Sequence, residues 1–306
     1  EMSASLVGSE MCIRDRFSLL DKRFTDILVQ PARKRNEYSA FCSMVDSADI
    51  PEHSKVIFFG DRGYTSYNNF AHVIEKGQYF LIRCNDKRAS GMMGYPVDTL
   101  PAFDEDISLI LTRSKAVSKY SRPELFSSYR YIYQNAPMDY LNDQRTEYDL
   151  ALRLLRVQLD DGSYENIATN LPEEEFKAED FKALYHLRWQ EENSFRDLKY
   201  SLCLKAFHSK KYDYIVQEVW ARVILYNFSS SIIINVTIDR EDRAYEYQAN
   251  YSSALKTCRD FLRIHDGITK INVESLIAQN IEPIRPGRTF ARQHRFKLPM
   301  SFCYRH

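Results

Sequence analysis

Residues 185–199 read YHLRWQEENSFRDLK, from Tyr185 to Lys199, with apolar side chains at helical spacing. At about 100° per residue, Tyr185, Arg188, Glu192 and Lys199 fall in a stripe about 60° wide. Leu184, Leu187, Phe195 and Leu198 form an adjacent apolar face, the side by which such a helix docks on a core. A phenol, a guanidinium, a carboxylate and an ammonium therefore line the border of a buried face. Period alone also fits an ordinary solvated helix, in which Arg188–Glu192 is an (i, i+4) ion pair worth about 0.2–0.5 kcal/mol. Glu191 falls within the apolar face, where an uncompensated carboxylate is costly. A solvated position at the helix edge and a competing ligand are both open for it.

Upstream of this stretch the pattern is strand, helix, strand, helix, strand. Phe24 to Val29 (FTDILV) reads as a strand stopped by Pro31, and Arg33 to Ala48 as a helix with Tyr38, Phe41, Met44 and Val45 on one face. Lys55 to Phe59 (KVIFF) is a run apolar enough for a strand buried on both sides, and it ends in Gly60-Asp61. Asn68 to Lys76 predicts a second helix closed by Gly77, and Gln78 to Arg83 the next strand. This alternation indicates an α/β layer. Between about 85 and 170 the character is β-rich, with extended runs at Ile107–Thr112, Tyr129–Tyr133 and Ala151–Leu159. Asp160-Asp161-Gly162-Ser163 then turns the chain into Tyr164–Ala168. Pro172 and the acidic Glu173–Glu175 predict the start of one long helix that runs past Lys199, with a break near Lys177–Glu179. Further helices are expected at Tyr214–Phe228, Ser252–Arg263 and Val273–Gln279.

Composition narrows the class. With 306 residues, 44% apolar and 27% charged, the chain is that of a globular protein able to bury a sizeable core. Lys and Arg total 42, matched by 42 Asp and Glu, so any case for nucleic acid rests on local clusters. The six cysteines form no CxxC pair, so neither a zinc ribbon nor a disulfide framework is expected, and the thiols are expected to be reduced. The most apolar run, Tyr214 to Ile234, carries Glu218, Arg222 and Asn227 and reads as a buried helix rather than a membrane span. Glu1 to Arg16 (EMSASLVGSEMCIRDR) has neither a clear period nor the order of a signal peptide. It resembles a translated sequencing-adapter artefact, and is expected to be a non-native or disordered leader.

The spacing Tyr-x2-Arg-x3-Glu-x6-Lys in residues 185–199 resembles the signature of the DDE transposases of the insertion-sequence-four (IS-four) type. The resemblance continues through QPARKRNEY (Gln30–Tyr38), DRGYTSYNNFAHVIEKGQYFLIR (Asp61–Arg83) and AFHSKKYDYIVQEVWARVILYN (Ala206–Asn227), and FCYR (Phe302–Arg305) looks like a family ending. It implies an α/β, ribonuclease H-like catalytic domain with a β-rich insertion between the second Asp and the Glu. The implied organisation is a leader at 1–16, ribonuclease H-like parts at 17–84 and 171–238, the insertion at 85–170, and a helical region with a basic tail at 239–306. Three carboxylates would bind two divalent ions, Mg²⁺ or Mn²⁺. Position by position, Asp61 is the second carboxylate and Glu192 the third. The first is expected upstream of Phe17, so the domain reads as incomplete at its N-terminus and the fragment as inactive. Asp21 and Asp26 stand in the wrong motif context and read as structural.

The resemblance also implies DNA as partner, both the terminal inverted repeats of an element and its target. A homodimer on paired ends, no membrane association and a bacterial, nucleoid-associated location in the cytoplasm go with it. Arg188 and Lys199 suit phosphate contacts and Tyr185 suits a hydrogen bond to a phosphate oxygen. Arg62 beside Asp61, the cluster Arg33-Lys34-Arg35, and Lys210 and Lys211 near His208 are further candidate DNA contacts. The segment Arg285–His306 adds six basic residues and no acid. For each cluster an ordinary solvated surface stays open. Two other functions also remain open, a non-catalytic DNA-binding remnant and a ribonuclease H-like nuclease.

Overall fold

The KVIFF run forms a buried strand in the computed structural model of the chain, which describes residues 2–7, 11–31, 33, 36–84, 101–115, 128–159, 162–204, 207–238, 245–264 and 270–284. Lys34, Arg35 and the tail from Arg285 lie outside the described residues. In chain order the elements begin with strands β1 (Met2–Val7), β2 (Met11–Ser18) and β3 (Arg23–Pro31), then helix α1 (Glu37–Asp46) and β4 (Ile57–Gly60). After a 3-10 turn at Arg62–Tyr64 come α2 (Tyr67–Glu75), β5 (Tyr79–Cys84), β6 (Phe103–Thr112), β7 (Tyr129–Tyr131), β8 (Glu147–Gln158) and β9 (Tyr164–Thr169). The remainder is α3 (Asp180–His186), α4 (Arg188–Tyr200), α5 (Tyr212–Ile233), β10 (Tyr247–Ala249), α6 (Tyr251–Arg263), α7 (Val273–Gln279) and β11 (Ile281–Pro283). These fall into two compact units, one holding Arg33–Trp189 with Glu1–Ala4 and Arg14–Arg16, the other Gln190–His306 with Ser5–Ile13 and Phe17–Ala32.

The first unit is mixed α/β, built on a mixed sheet. β4 and β5 run parallel, with Gly60 opposite Ile82. β9 then adds antiparallel to β5, β8 to β9 and β6 to β8, while β7 lies parallel to β6. The extended runs beyond residue 100 thus continue the β4–β5 sheet. β8 starts at Glu147, four residues before the run that the sequence suggests, because Tyr148, Leu150 and Leu152 are buried in alternation. Phe70 of α2 stacks on Phe80 of β5 at 4.5 Å, and both are fully buried. Asn36 caps α1 by accepting from the Ser39 amide. Of the face expected on α1, Phe41, Met44 and Val45 are buried but Tyr38 is exposed. α2 ends as expected at Gly77, whose φ of +70° lets Gln78 N–H return to the Val73 carbonyl at 3.0 Å.

The long helix expected from Pro172 is not formed. Residues 172–179 make turns, and the helix begins at Asp180. The cause is tertiary. Arg153 of β8, buried and paired with Asp104 of β6, donates to the carbonyls of Phe176 at 2.7 Å and Leu171 at 3.5 Å. These carbonyls are therefore committed outside any helix. The helix is broken again at Leu187, whose amide bonds three residues back to Leu184. Leu187, expected on the apolar face, is exposed.

In the second unit, β2 and β3 are neighbours. Ile13, Phe24, Ile27 and Val29 join Phe195 and Leu198 of α4 and Val219, Val223 and Tyr226 of α5 in one core. Part of the stretch set aside as a leader thus takes part in β2, with Cys12 and Ile13 buried. Asn227 clamps β3 by exchanging two hydrogen bonds with the Phe24 backbone, at 2.9 and 2.8 Å. Asp21 closes a surface turn by accepting from the Ser18 hydroxyl at 2.9 Å. A smaller core gathers Ile233, Ala254, Cys258, Val273 and Ile277. Cys12, Cys42, Cys84 and Cys258 are free thiols. Among the described residues no helix is long and apolar enough to cross a membrane.

Candidate active site

Asp61 sits where β4 ends. Phe58, Phe59 and Gly60 are buried, so the strand carries the chain out of the core and delivers Asp61 to the exposed end of the sheet. Its Oδ1 accepts from the Arg62 amide at 2.7 Å, which fixes the carboxylate at the head of the 3-10 turn. The turn is anchored from beneath. Tyr64 is buried against Phe41 with ring centroids 5.4 Å apart, and Asn69 donates to the Tyr64 carbonyl at 2.9 Å. Thr65 donates to the Arg83 carbonyl at 2.9 Å, tying the turn to β5. A Cβ at Gly63 would lie 2.8 Å from Glu37 Oε2, the far end of a flexible side chain that can swing aside. A rigid strand end followed by a pinned turn is a good platform for a ligand carboxylate.

Beside this turn the same unit holds a buried set of charges. Arg83 pairs with Glu165 of β9, and its guanidinium lies over the Tyr185 ring at 5.9 Å. Tyr185, on α3, is itself buried. Burial pushes the Cys84 thiol up to about 12, so it stays a neutral thiol at the end of β5.

α4 presents its carboxylates in opposite senses. Glu192 is exposed in the first turns of the helix, whereas Glu191 is 1% exposed. The expected period is therefore right about which side of the helix Glu191 occupies, and the solvated-edge alternative for it is wrong. Phe195 and Leu198 are buried beneath, and the Lys199 ammonium lies 4.5 Å from the Phe195 ring centroid. The second unit also contains a cavity of about 380 Å³ lined by Asn193 and Asp197 of α4, with Tyr251, Ser252 and Glu282. Desolvation by burial raises the Asp197 carboxyl above its ordinary range, with Arg196 and Ser252 opposing.

Asp61, Arg62, Tyr185 and Arg188 belong to the first unit, and Glu192 and Lys199 to the second, the division falling inside α4. Because Leu187 interrupts the helix, Tyr185 lies on α3 and the other signature residues on α4. Arg33, Lys210 and Lys211 are exposed, as DNA contacts require. Lys211 heads α5, with its ammonium 5.9 Å from the Tyr214 ring. Sequence reasoning missed one cluster altogether. Cys42, His72 and Asp139 bring their ligand atoms within 4.8 Å of one another, the one group of three such side chains among the described residues. No local spacing signals it, because the three come from α1, α2 and the segment before β8.

Comparison with known proteins adds the following. A family model described as transposase DDE domain matches residues 16–228. No curated protein matches the chain. Among solved structures, a piggyBac transposase synaptic complex with hairpin DNA, determined by cryo-EM, is similar at a TM-score of 0.42 and 10% identity. The similarity covers 94% of this chain and 55% of that one, so the chain spans about half the length of that transposase.

Proposed function

The chain belongs to the transposase DDE domain family, and from that premise we propose that it serves metal-dependent DNA strand cleavage and transfer at the ends of an insertion element. The family match running through both Asp61 and Glu192 is the observation that carries this reading. The finer assignment is the IS-four type, with a ribonuclease H-like domain and with β6 to β9 in the insertion between the two carboxylates. Its partners are the inverted repeats of the element and its target DNA, held by a homodimer.

Asp61 and Glu192 are the proposed ligands of two Mg²⁺ or Mn²⁺ ions. Exposed carboxylate oxygens are the donors a hard cation takes while keeping waters and phosphate oxygens in its shell. When bound, such ions activate the attacking water or 3′-hydroxyl and stabilise the leaving oxygen. The protein's own part is to hold the carboxylates on rigid elements. Arg62, Arg188 and Lys199 are assigned to the phosphates near the reacting strand, whereas Tyr185, buried beside Arg83, is not presented to a phosphate. Arg33, Lys34, Arg35, Lys210 and Lys211 are assigned to the flanking backbone, where each neutralised phosphate contributes salt-dependent affinity.

The test uses duplex DNA carrying the inverted repeats that flank the gene, with and without MgCl₂. Protein that carries all three carboxylates of the family is expected to bind the duplex in EDTA, and to nick and join it only with Mg²⁺. Asp61→Asn and Glu192→Gln are each expected to lower cleavage by at least about 100-fold, beyond the loss typical of outer-shell partners, while leaving the mobility shift in place. Binding by such protein without metal-dependent cleavage would overturn the catalytic reading in favour of a DNA-binding remnant.

A further inference from the structure

α1 and α2 pack side by side, and their shared face carries polar groups that a plain helix pair does not need. Cys42 and His72 are buried there, and Asn68 and Asn69 are buried beside them. Asn68 Nδ2 lies 2.9 Å from Asp139 Oδ2 and 3.6 Å from Cys42 Sγ, so one amide orients both a carboxylate and a thiol. Asp139 is fixed a second time, its own amide donating to Asn68 Oδ1 at 2.8 Å. His72 Nε2 is 2.9 Å from Asp139 Oδ2, and His72 Nδ1 is 2.8 Å from Asp46 Oδ1.

We propose that Cys42 Sγ, His72 Nε2 and Asp139 Oδ2 form a site for a transition-metal cation of the zinc class, distinct from the site at Asp61 and Glu192. The three atoms lie within 4.8 Å of one another. Tetrahedral coordination at about 2.0–2.3 Å per bond sets ligand atoms about 3.3–3.6 Å apart. Only a small opening between His72 Nε2 and Asp139 Oδ2 is required, and the exposed Asp139 side chain can give it by a small turn about its own torsions. A thiolate with an imidazole selects a borderline ion such as Zn²⁺ over Mg²⁺. Asp46 completes the arrangement, accepting from Nδ1 so that Nε2 points at the metal, as carboxylates do for zinc-bound histidines. The Asp139 side chain is 62% exposed, which gives the ion an entry path and a solvent water as fourth ligand. Binding releases the Cys42 thiol proton and the proton held between His72 and Asp139. The bound ion ties α1, α2 and the segment before β8 together behind the turn that carries Asp61.

Co²⁺ serves as the probe, because a thiolate-to-cobalt charge-transfer band in the near ultraviolet reports sulfur ligation directly. Titration of the wild-type chain under reducing conditions is expected to develop that band with saturation at one equivalent, and Zn²⁺ to abolish it. Cys42→Ser and His72→Gln, shown to be folded by circular dichroism, are expected to lose the band, whereas Asp61→Asn keeps it. No band in the wild-type chain at saturating Co²⁺, or a band undiminished in Cys42→Ser, overturns the proposal. Neither result bears on cleavage at Asp61 and Glu192, so the two readings fail separately.

Discussion

Replacing Asp104 by Leu is expected to unfold the region where the signature helices begin, and the structure sets the size of the effect. Arg153 meets Asp104 through two parallel bonds, Nε–Oδ1 at 2.7 Å and Nη2–Oδ2 at 2.6 Å, with the Arg153 side chain 2% exposed. Hydrogen bonding to Asp104 is the chief cause that holds the Arg153 guanidinium above its ordinary pKa, so the cation has no route to neutrality. Removing one partner of a buried pair costs about 3–5 kcal/mol, because the other charge is left uncompensated. Here the lower end applies. Asp104 is a quarter exposed, and Arg153 keeps its bonds to the Phe176 and Leu171 carbonyls. The expected loss is therefore about 3 kcal/mol. Arg153→Met removes the cation instead, and strips those two carbonyls of their donor and Phe181 of a guanidinium 5.1 Å from its ring. Orphaned carbonyls cost about 1–3 kcal/mol. The double variant is expected to be no less stable than Asp104→Leu alone, since no buried charge remains. Urea unfolding followed by circular dichroism gives the cycle, and hydrogen exchange at the α3 amides reads the local consequence. An Asp104→Leu loss under about 1 kcal/mol, or losses that simply add in the double variant, would refute the reasoning.

Gly77→Ala places a side chain at φ +70° with open space around its Cβ, so the cost is conformational alone, about 1–2 kcal/mol; a midpoint shift in urea measures it, and Gly77→Asn is expected to cost less. Phe80→Ala empties the stack with Phe70 and is expected to cost about 3–5 kcal/mol, checked by the same unfolding curves. Glu218 is opposed by burial, yet hydrogen bonds from the His208 side chain and amide and from Arg222 hold its carboxyl below the usual range. A folded-state value below the unfolded one gives stability that is present above the unfolded carboxylate pKa and lost as pH falls through the folded one. Unfolding midpoints measured down through the acid range are expected to drop less in Glu218→Gln than in the parent chain. Equal acid sensitivity in the two would remove Glu218 from that role.

What the sequence discloses follows the range of the forces involved. β4 and β5 are legible because a strand buried on both faces needs an unbroken apolar run, and Phe58–Phe59 and Phe80–Ile82 supply one. α7 is legible to its last residue, since Asn272 accepts from the Ser275 amide in an ordinary local cap. Residues 172–179 mislead. Proline and three glutamates make a good helix start, but the competing hydrogen bonds come from Arg153, on a strand whose relation to that segment is tertiary. Tyr38 misleads in a similar way, because its period places it with Phe41 and Met44 while the packing leaves it outside.

The two kinds of candidate site differ in the same respect. Asp61 and Glu192 are named by motif, Asp61 at a strand end with its flanking turn and Glu192 in a signature that runs across α3 and α4. The helical period sets Glu191 within the apolar face and Glu192 on its border, and the packing buries the first and exposes the second. That distinction has a chemical consequence. A buried carboxylate keeps its charge only beside a compensating partner, whereas an exposed one can reach a hard cation in water. On the proposed function, the exposed Glu192 is the carboxylate of the two that a metal in solvent can reach. The cluster of Cys42, His72 and Asp139 is the opposite case. Its residues carry no shared motif, and its meaning lies in the way Asn68 and Asp46 hold them. Substituting Asn68 by Ala separates the two ideas without touching any proposed ligand. The loss of an outer-shell partner is expected to weaken Co²⁺ binding about 10–100-fold while Mg²⁺-dependent cleavage keeps its metal dependence. Unchanged Co²⁺ affinity in Asn68→Ala would mean that the amide is not holding the thiol and the carboxylate for a metal.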